Sequence, residues 1–431
     1  MNGKTYQKRD YVAAAIFSFT TAVRLAVGLL VVKIIASAGG PEGLGILGQF
    51  MSVLAIVSAF AGGGISTGLT KYVAEKKSQG GQLELYLQTA LAITLASGLL
   101  FGVVLLLSAN WGAQALFGSE KFFPVIIILA IFQMFIGINN FSLAVINGRR
   151  DVVGFSIATV MGSIIGVFAM YIVTKKGEID SAMFGLLCFS TSTVLLSPIL
   201  LWFRHKSLCV TLTPKLNRKV TFELIKFSGL QLFSAFALPM AHIAIRSIAE
   251  DKYGWGVVGY WQGVNKISDA YLQFFLVFLA NYFLPRLAEV SKPEELRKLV
   301  FGLLKIMIPI CVVLTSGIFI FKDFVIQVLF SPTFLPMAEY FTFQLIGDVL
   351  KISAYTFVYV AISRAFFKVC VIAEIVQASL LVLFTWIGSL YFGPLGLVGG
   401  YAATYLVYFI CALFTFLYWL RLNERNIEVR I

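Results

Sequence analysis

Charge and histidine are both scarce in this chain. Of its 431 residues only 13% are charged and only two, His205 and His242, are histidine. A soluble globular domain carries about 25% charged residues, so a water-soluble fold is excluded. Two isolated histidines leave a metal centre without its commonest ligand, and no metal or other cofactor is expected. The five cysteines (Cys188, Cys209, Cys311, Cys370, Cys411) are scattered and form no C-x-x-C pair. They read as small apolar filler. No phosphate-binding P-loop is present, which excludes direct ATP drive by this chain alone. No polar stretch is long enough for an extramembrane domain. A membrane glycosyltransferase or polymerase generally needs such a loop, with paired carboxylates or a divalent metal, so that class is disfavoured. The net charge of +13 is spread through short loops and is not gathered on one face, which argues against a nucleic-acid partner.

Apolar surface is what remains. The chain is 59% hydrophobic with a mean hydropathy of +0.89. Continuous apolar runs of roughly 20 residues recur, the length that crosses about 30 Å of hydrocarbon. They lack the alternation of an outer-membrane barrel. An all-α polytopic membrane protein is expected, with twelve spans near 11–36, 43–70, 83–108, 122–146, 152–174, 180–203, 221–249, 254–285, 295–321, 335–363, 369–391 and 396–420. The first run is too long for a cleaved signal and reads as a retained span. The longest polar connection, "RHKSLCVTLTPKLNRKV" at 204–220, separates a six-helix lobe over 1–203 from another over 221–431. Most Lys and Arg lie in the termini and in alternate loops. The opposite loops hold Lys121, Lys175, Lys176, Lys252 and Lys322. By the positive-inside rule both termini face the cytoplasm of a bacterial inner membrane.

G-x-G-x-x-G occurs twice, in "GLGILGQF" (43–50) and "GWGVVGYW" (254–261). No strand precedes either run, so a dinucleotide fold is excluded. Glycine at the start of a span serves a sharp turn and close helix approach. Gly43, Gly45 and Gly48 align with Gly254, Gly256 and Gly259. At the same offset Phe132-Gln133 aligns with Phe343-Gln344. A duplicated six-helix unit is expected, its copies related by an axis along the membrane normal.

Charges within spans are expensive and usually face a cavity or a partner. Those here are Arg24, Lys33, Arg246, Lys266, Asp269, Asp348, Lys351 and Glu374. Cations outnumber carboxylates, and Arg24, Lys33, Arg246 and Lys266 are candidates to cradle a pyrophosphate. Snorkelling is the competing reading for Lys33. Dipole stabilisation near a helix start is the competing reading for Glu374. Lys266 with Asp269, and Asp348 with Lys351, stand at i, i+3 and can pair on one face. Asp269, Asp348, Lys351 and Glu374 are candidates for coupling to a proton or sodium gradient. Gln49, Asn139, Asn140, Asn265, Tyr260 and Trp261 are candidate sugar contacts, against the plainer reading of Tyr and Trp as interface-belt residues.

The stretches "YGWGVVGYWQGVNKISDAYLQFFLVFLANYFLPRLAEV" (253–290), "FQLIGDVLKISAYTFVYVAISRAFFKVCVIAEIVQ" (343–377) and "GPEGLGILGQF…GGGISTGLTKYVAE" (40–75) resemble the Wzx family of bacterial lipid-linked oligosaccharide flippases. The resemblance implies the exporter superfamily that also contains the MATE transporters, with two lobes around a central cavity. It implies transfer of an undecaprenyl-pyrophosphate-linked oligosaccharide between leaflets by a monomer surrounded by membrane lipid. The glycan stays open between an enterobacterial common antigen intermediate and an O-antigen unit. A polysaccharide polymerase and a chain-length regulator are possible pathway partners. A drug/cation antiporter of the same superfamily is the rival, and it would favour a net acidic cavity. A major facilitator is disfavoured because loop 70–80, "TKYVAEKKSQG", lacks the G-x-x-x-D-R-like signature.

Overall fold

The computed structural model describes residues 3–76, 80–175, 179–209, 213–290 and 292–428. Lys176 therefore lies outside the described residues, as does part of the 204–220 connection. Among the described residues the chain is helical with no strand. Ten helical stretches among the described residues are long and apolar enough to cross a membrane. Two of them, Phe19–Ala61 and Ala235–Glu289, hold 43 and 55 residues. At 1.5 Å per residue the shorter would reach roughly 65 Å if straight, about twice the hydrocarbon thickness. Each is broken by a glycine: Gly40 (φ 57°, ψ −157°) in α1 (Gly3–Ala61) and Gly254 (φ 78°, ψ 167°) in α9 (Arg218–Phe278). Residues with a Cβ avoid that backbone region, so the bends fall where the sequence places its glycine runs.

The chain divides into two compact units: Met1–Gly39 with Gln49–Pro239, and Gly40–Gly48 with Met240–Ile431. In the first, α1 is followed by α2 (Ser66–Glu75), α3 (Gly80–Leu107), α4 (Ala109–Phe117), α5 (Phe123–Gly148), α6 (Val152–Thr174), α7 (Ile179–Arg204), the short α8 (Lys206–Cys209) and the start of α9. Its core gathers Leu69 and Val73 of α2, Leu83 and Leu87 of α3, Val145 of α5, Leu201 of α7 and Leu224 of α9. One end of this unit is clasped by charge. Asp151 caps α6 by accepting from the Gly154 N–H at 2.9 Å. It also accepts from Arg204 Nε at 2.6 Å and Nη2 at 2.8 Å, and meets His205 Nε2 at 3.2 Å. Burial pushes the Asp151 carboxyl up. The Arg204 guanidinium, the Gly154 N–H and the His205 ring outweigh it and hold the carboxyl below its ordinary value. Burial holds the His205 imidazole below its ordinary value despite the carboxylate beside it.

In the second unit α9 is followed by a π-helical turn at Leu279–Phe283 and by α10 (Leu284–Glu289). Pro285 has no N–H to give the preceding turn, a common origin of such widening. Then come α11 (Pro293–Ile320), α12 (Lys322–Leu329), a 3₁₀ stretch at Pro332–Tyr340, α13 (Phe341–Ser363), α14 (Phe367–Tyr391) and α15 (Gly396–Glu428). Leu296, Val300, Leu304, Met307, Cys311 and Thr315 are the buried stripe of α11. Their spacing of three and four is that of one helix face.

Candidate functional site

The two glycine motifs meet within the second unit. A Cβ on Gly45 would come within 2.6 Å of the Trp255 carbonyl, and one on Gly259 would enter the Pro41 carbonyl. Two backbones approach there more closely than any side chain allows. The repeated G-x-G-x-x-G is thus a helix-crossing device, as its position in a membrane span requires. Gly48 adds a further consequence: its missing Cβ leaves room for the Gln262 side chain, whose Cδ lies 2.7 Å from where that atom would sit.

Gln262 in turn holds Arg246. The guanidinium is 3% exposed and donates from Nη2 to Gln262 Oε1 at 2.8 Å. Its carbon lies 5.6 Å from the centre of the Trp261 ring, within reach of a cation–π contact. His242 meets the same indole edge-on at 5.7 Å. His242 and Arg246, one turn apart on α9, thus both contact Trp261. A buried cation is tolerated only with acceptors and polarisable faces around it, and Gln262 and Trp261 supply both.

One turn further along α9, a second cluster surrounds Asp348. This carboxylate is fully buried. It accepts from Ser268 Oγ at 2.6 Å, from Tyr401 Oη at 2.7 Å and from Tyr271 Oη. Gln344, one turn before it on α13, donates to Ser268 Oγ at 3.2 Å and to Asn265 Oδ1 at 3.4 Å. The i, i+3 spacing suggests an Asp348–Lys351 ion pair, but the structure directs the two elsewhere. Lys351 Nζ lies over the rings of Tyr401 (5.8 Å) and Tyr405 (5.4 Å), while hydroxyls satisfy Asp348. Hydroxyls rotate, so this cage accommodates the carboxylate and the protonated acid alike. The Lys266–Asp269 pair does form, at 3.8 Å with Asp269 largely exposed. Glu374 is half-buried on α14, one turn before Gln377, which donates to Tyr405 Oη at 2.8 Å and to Tyr355 Oη at 3.0 Å.

The remaining candidates are dispersed. Arg24 and Lys33 are exposed on α1 in the first unit. Asn140 donates to the Ser58 carbonyl at 2.9 Å, and Asn139 accepts from Ser197 at 2.7 Å. Gln49 is buried and donates to the Leu116 carbonyl at 3.2 Å. Asn265 donates to the Trp261 carbonyl at 2.8 Å, and Tyr260 to that of Thr333 at 3.4 Å. These amides and this phenol tie helices together. Ser268, Tyr271, Gln344, Tyr401, Gln262 and Gln377 carry no charge that would single them out in the sequence. Asn265 and Ser268 beside the charged Lys266 and Asp269 of α9, and tyrosines at 401, 405 and 408 on one face, are the signals available.

The chain has a polytopic helical fold shared with transporters of the MOP superfamily. An inward-facing multidrug-resistance MATE family transporter superposes with a TM-score of 0.77 at 18% identity, covering 95% of each chain. The lipid II flippase MurJ, inward closed, superposes at 0.70 and 14% identity, over 94% of this chain and 87% of that one. The chain belongs to the polysaccharide biosynthesis protein family, whose model matches residues 40–339. Its relatives include the lipid III flippases of Escherichia coli K12 and of Shigella flexneri. Each is 35% identical over 403 residues, which are 93% of this chain and 97% of the relative.

Proposed function

We propose that this protein is a flippase of lipid-linked oligosaccharides, moving an undecaprenyl-pyrophosphate-linked glycan from the cytoplasmic to the periplasmic leaflet by alternating access. The observation that carries the reading is the 35% identity to the lipid III flippase of Escherichia coli over nearly the full length of both chains. The enterobacterial common antigen intermediate is accordingly the first substrate to test, and an O-antigen unit the second. The chain sits in the bacterial inner membrane with both termini cytoplasmic. Its two bent helices each cross twice, giving twelve spans in two duplicated lobes, 1–203 and 221–431. It acts as a monomer and is not an enzyme. A polymerase and a chain-length regulator are its pathway partners.

Arg24, Lys33, Arg246 and Lys266 recognise the pyrophosphate. A delocalised guanidinium with several N–H edges suits phosphate oxygens, and Arg246 exchanges its Gln262 bond for them during the cycle. Asp348, in its hydroxyl cage, is the group that takes up the coupling ion, with Asp269, Lys351 and Glu374 adjusting the local charge. Asn139, Asn140, Gln49, Asn265, Tyr260 and Trp261 become sugar contacts only where helix movement frees them. A net cationic set of span charges disfavours the drug/cation antiporter reading. The test is complementation of an Escherichia coli strain lacking its lipid III flippase, beside a strain lacking an O-antigen flippase. Restored common antigen supports the assignment, and failure in both strains removes it.

A further inference from the structure

A groove of about 370 Å³ opens along α13, α14 and α15 in the second unit, within the roughly 300–1,000 Å³ of small-ligand sites. Its walls, among them Val360, Val369, Ala373, Ala412 and Phe416, carry no charge. Its one aliphatic hydroxyl, on Thr415, is donated to the Cys411 carbonyl at 2.8 Å. Phe366 and Trp419 close one end, their rings 6.2 Å apart at 64°.

That end is basic. The Arg364 guanidinium lies 6.0 Å over Trp419. It donates from Nη2 to the Val290 carbonyl, and its buried Nε has no hydrogen-bond partner among the described residues. Lys368, in the first turn of α14, is exposed. α13 finishes at Ser363 and α14 starts at Phe367, so Arg364 and Lys368 flank the turn where the apolar groove ends. Glu374 of α14 is outside the lining and interacts electrostatically with Cys370 and Tyr408.

Lipid tails are as apolar as leucine, so an apolar groove inside a bilayer selects little by itself. Selection falls to the basic rim, where an anionic headgroup gains from each nearby Lys or Arg. We propose that this groove is a binding site for an anionic phospholipid, one acyl chain lying against α13–α15 and the phosphate resting at Arg364 and Lys368. The groove offers about 370 Å³, room for part of one acyl chain. The proposed transport cycle uses neither of these two cations.

Native mass spectrometry of the delipidated full-length protein, titrated with phosphatidylglycerol or phosphatidylcholine, tests the site. Each rim cation near the headgroup contributes roughly fivefold, so phosphatidylglycerol is expected to be retained at least about tenfold better. K368Q, which touches only an exposed side chain, should reduce that preference about fivefold. A412F should fill the groove and lower retention of both, with thermal melting confirming that the variant folds. Equal retention of the two lipids by the wild type overturns the proposal. So does an unchanged preference in K368Q, or displacement of phosphatidylglycerol by equimolar undecaprenyl phosphate.

Discussion

At the scale of single residues the clearest object is a carboxylate surrounded by hydroxyls. Asp348 receives three hydroxyl hydrogen bonds and is fully buried. Replacing it by Asn keeps one acceptor and the shape, so D348N is expected to insert and export glycan with its gradient dependence abolished. Transport with and without an imposed proton or sodium gradient checks this, and unchanged dependence refutes the coupling role. Gln262 offers a companion test. Q262L removes the acceptor of a buried guanidinium, a hydrogen bond to charge worth about 1.5–3 kcal/mol, and should lower the thermal stability of the purified protein measurably. The charged members of these clusters were legible in the sequence, because a charge in an apolar span stands out. Their partners were not. Ser268, Tyr271 and Tyr401 are neutral residues of kinds that also occur as ordinary packing in spans, and nothing local marks them as donors to one acid 80, 77 and 53 positions away.

The element scale concerns how helices end, bend and cross. Gly40 and Gly259 make opposite demands. A Cβ at Gly40 meets nothing within 4 Å, and only its φ of 57° resists substitution. With ψ at −157° this backbone is open almost to glycine alone, so G40A should cost on the order of 1–3 kcal/mol and lower the melting temperature while still yielding folded protein. At Gly259 the added carbon enters the Pro41 carbonyl, so G259A must force the crossing helices apart and should lose export and most of the folded yield. Expression and melting of the two variants side by side check the contrast. The clasp at α6 and α7 makes a pH prediction. Asp151 is depressed when folded, so its stabilisation is present above the ordinary carboxylate pKa and fades as pH falls through its lower folded value. His205 is also depressed, so the unfolded chain binds its proton first and stability drops as pH falls below about 6.5. Both act in one direction. Amide protection factors at the α5–α6 turn, corrected for the intrinsic pH dependence of exchange, should fall between pH 7.5 and pH 5. H205Q should remove the upper range of that response, and D151N should keep much of the α6 cap while losing the Arg204 pair. The turns and breaks were legible because Gly and Asp are strong local signals. That two glycine motifs far apart in sequence would face each other was not, since crossing is a tertiary event that span periodicity does not encode.

For the whole molecule, hydropathy alone separated membrane from water and gave most of the helices, because burial in hydrocarbon tolerates little else. It did not anticipate that α1 and α9 would each run on through a glycine bend. A short connection between two apolar spans and a bend inside one long helix have the same composition. The twelve-span topology with cytoplasmic termini has a direct check. Single cysteines at Lys252 and Lys322 should be labelled from the periplasm by an impermeant maleimide, and those at Lys71 and Arg149 should not. The reverse pattern would invert the proposed orientation.

Residues 40–48 belong to the compact unit built from the C-terminal half, and through Gly48 they leave space for the side chain that holds Arg246. Hybrids that splice the front half of one relative to the back half of another will therefore inherit mismatched pieces if the junction is drawn at the central linker alone. Carrying this nine-residue segment along with the donor of the back half should rescue such hybrids.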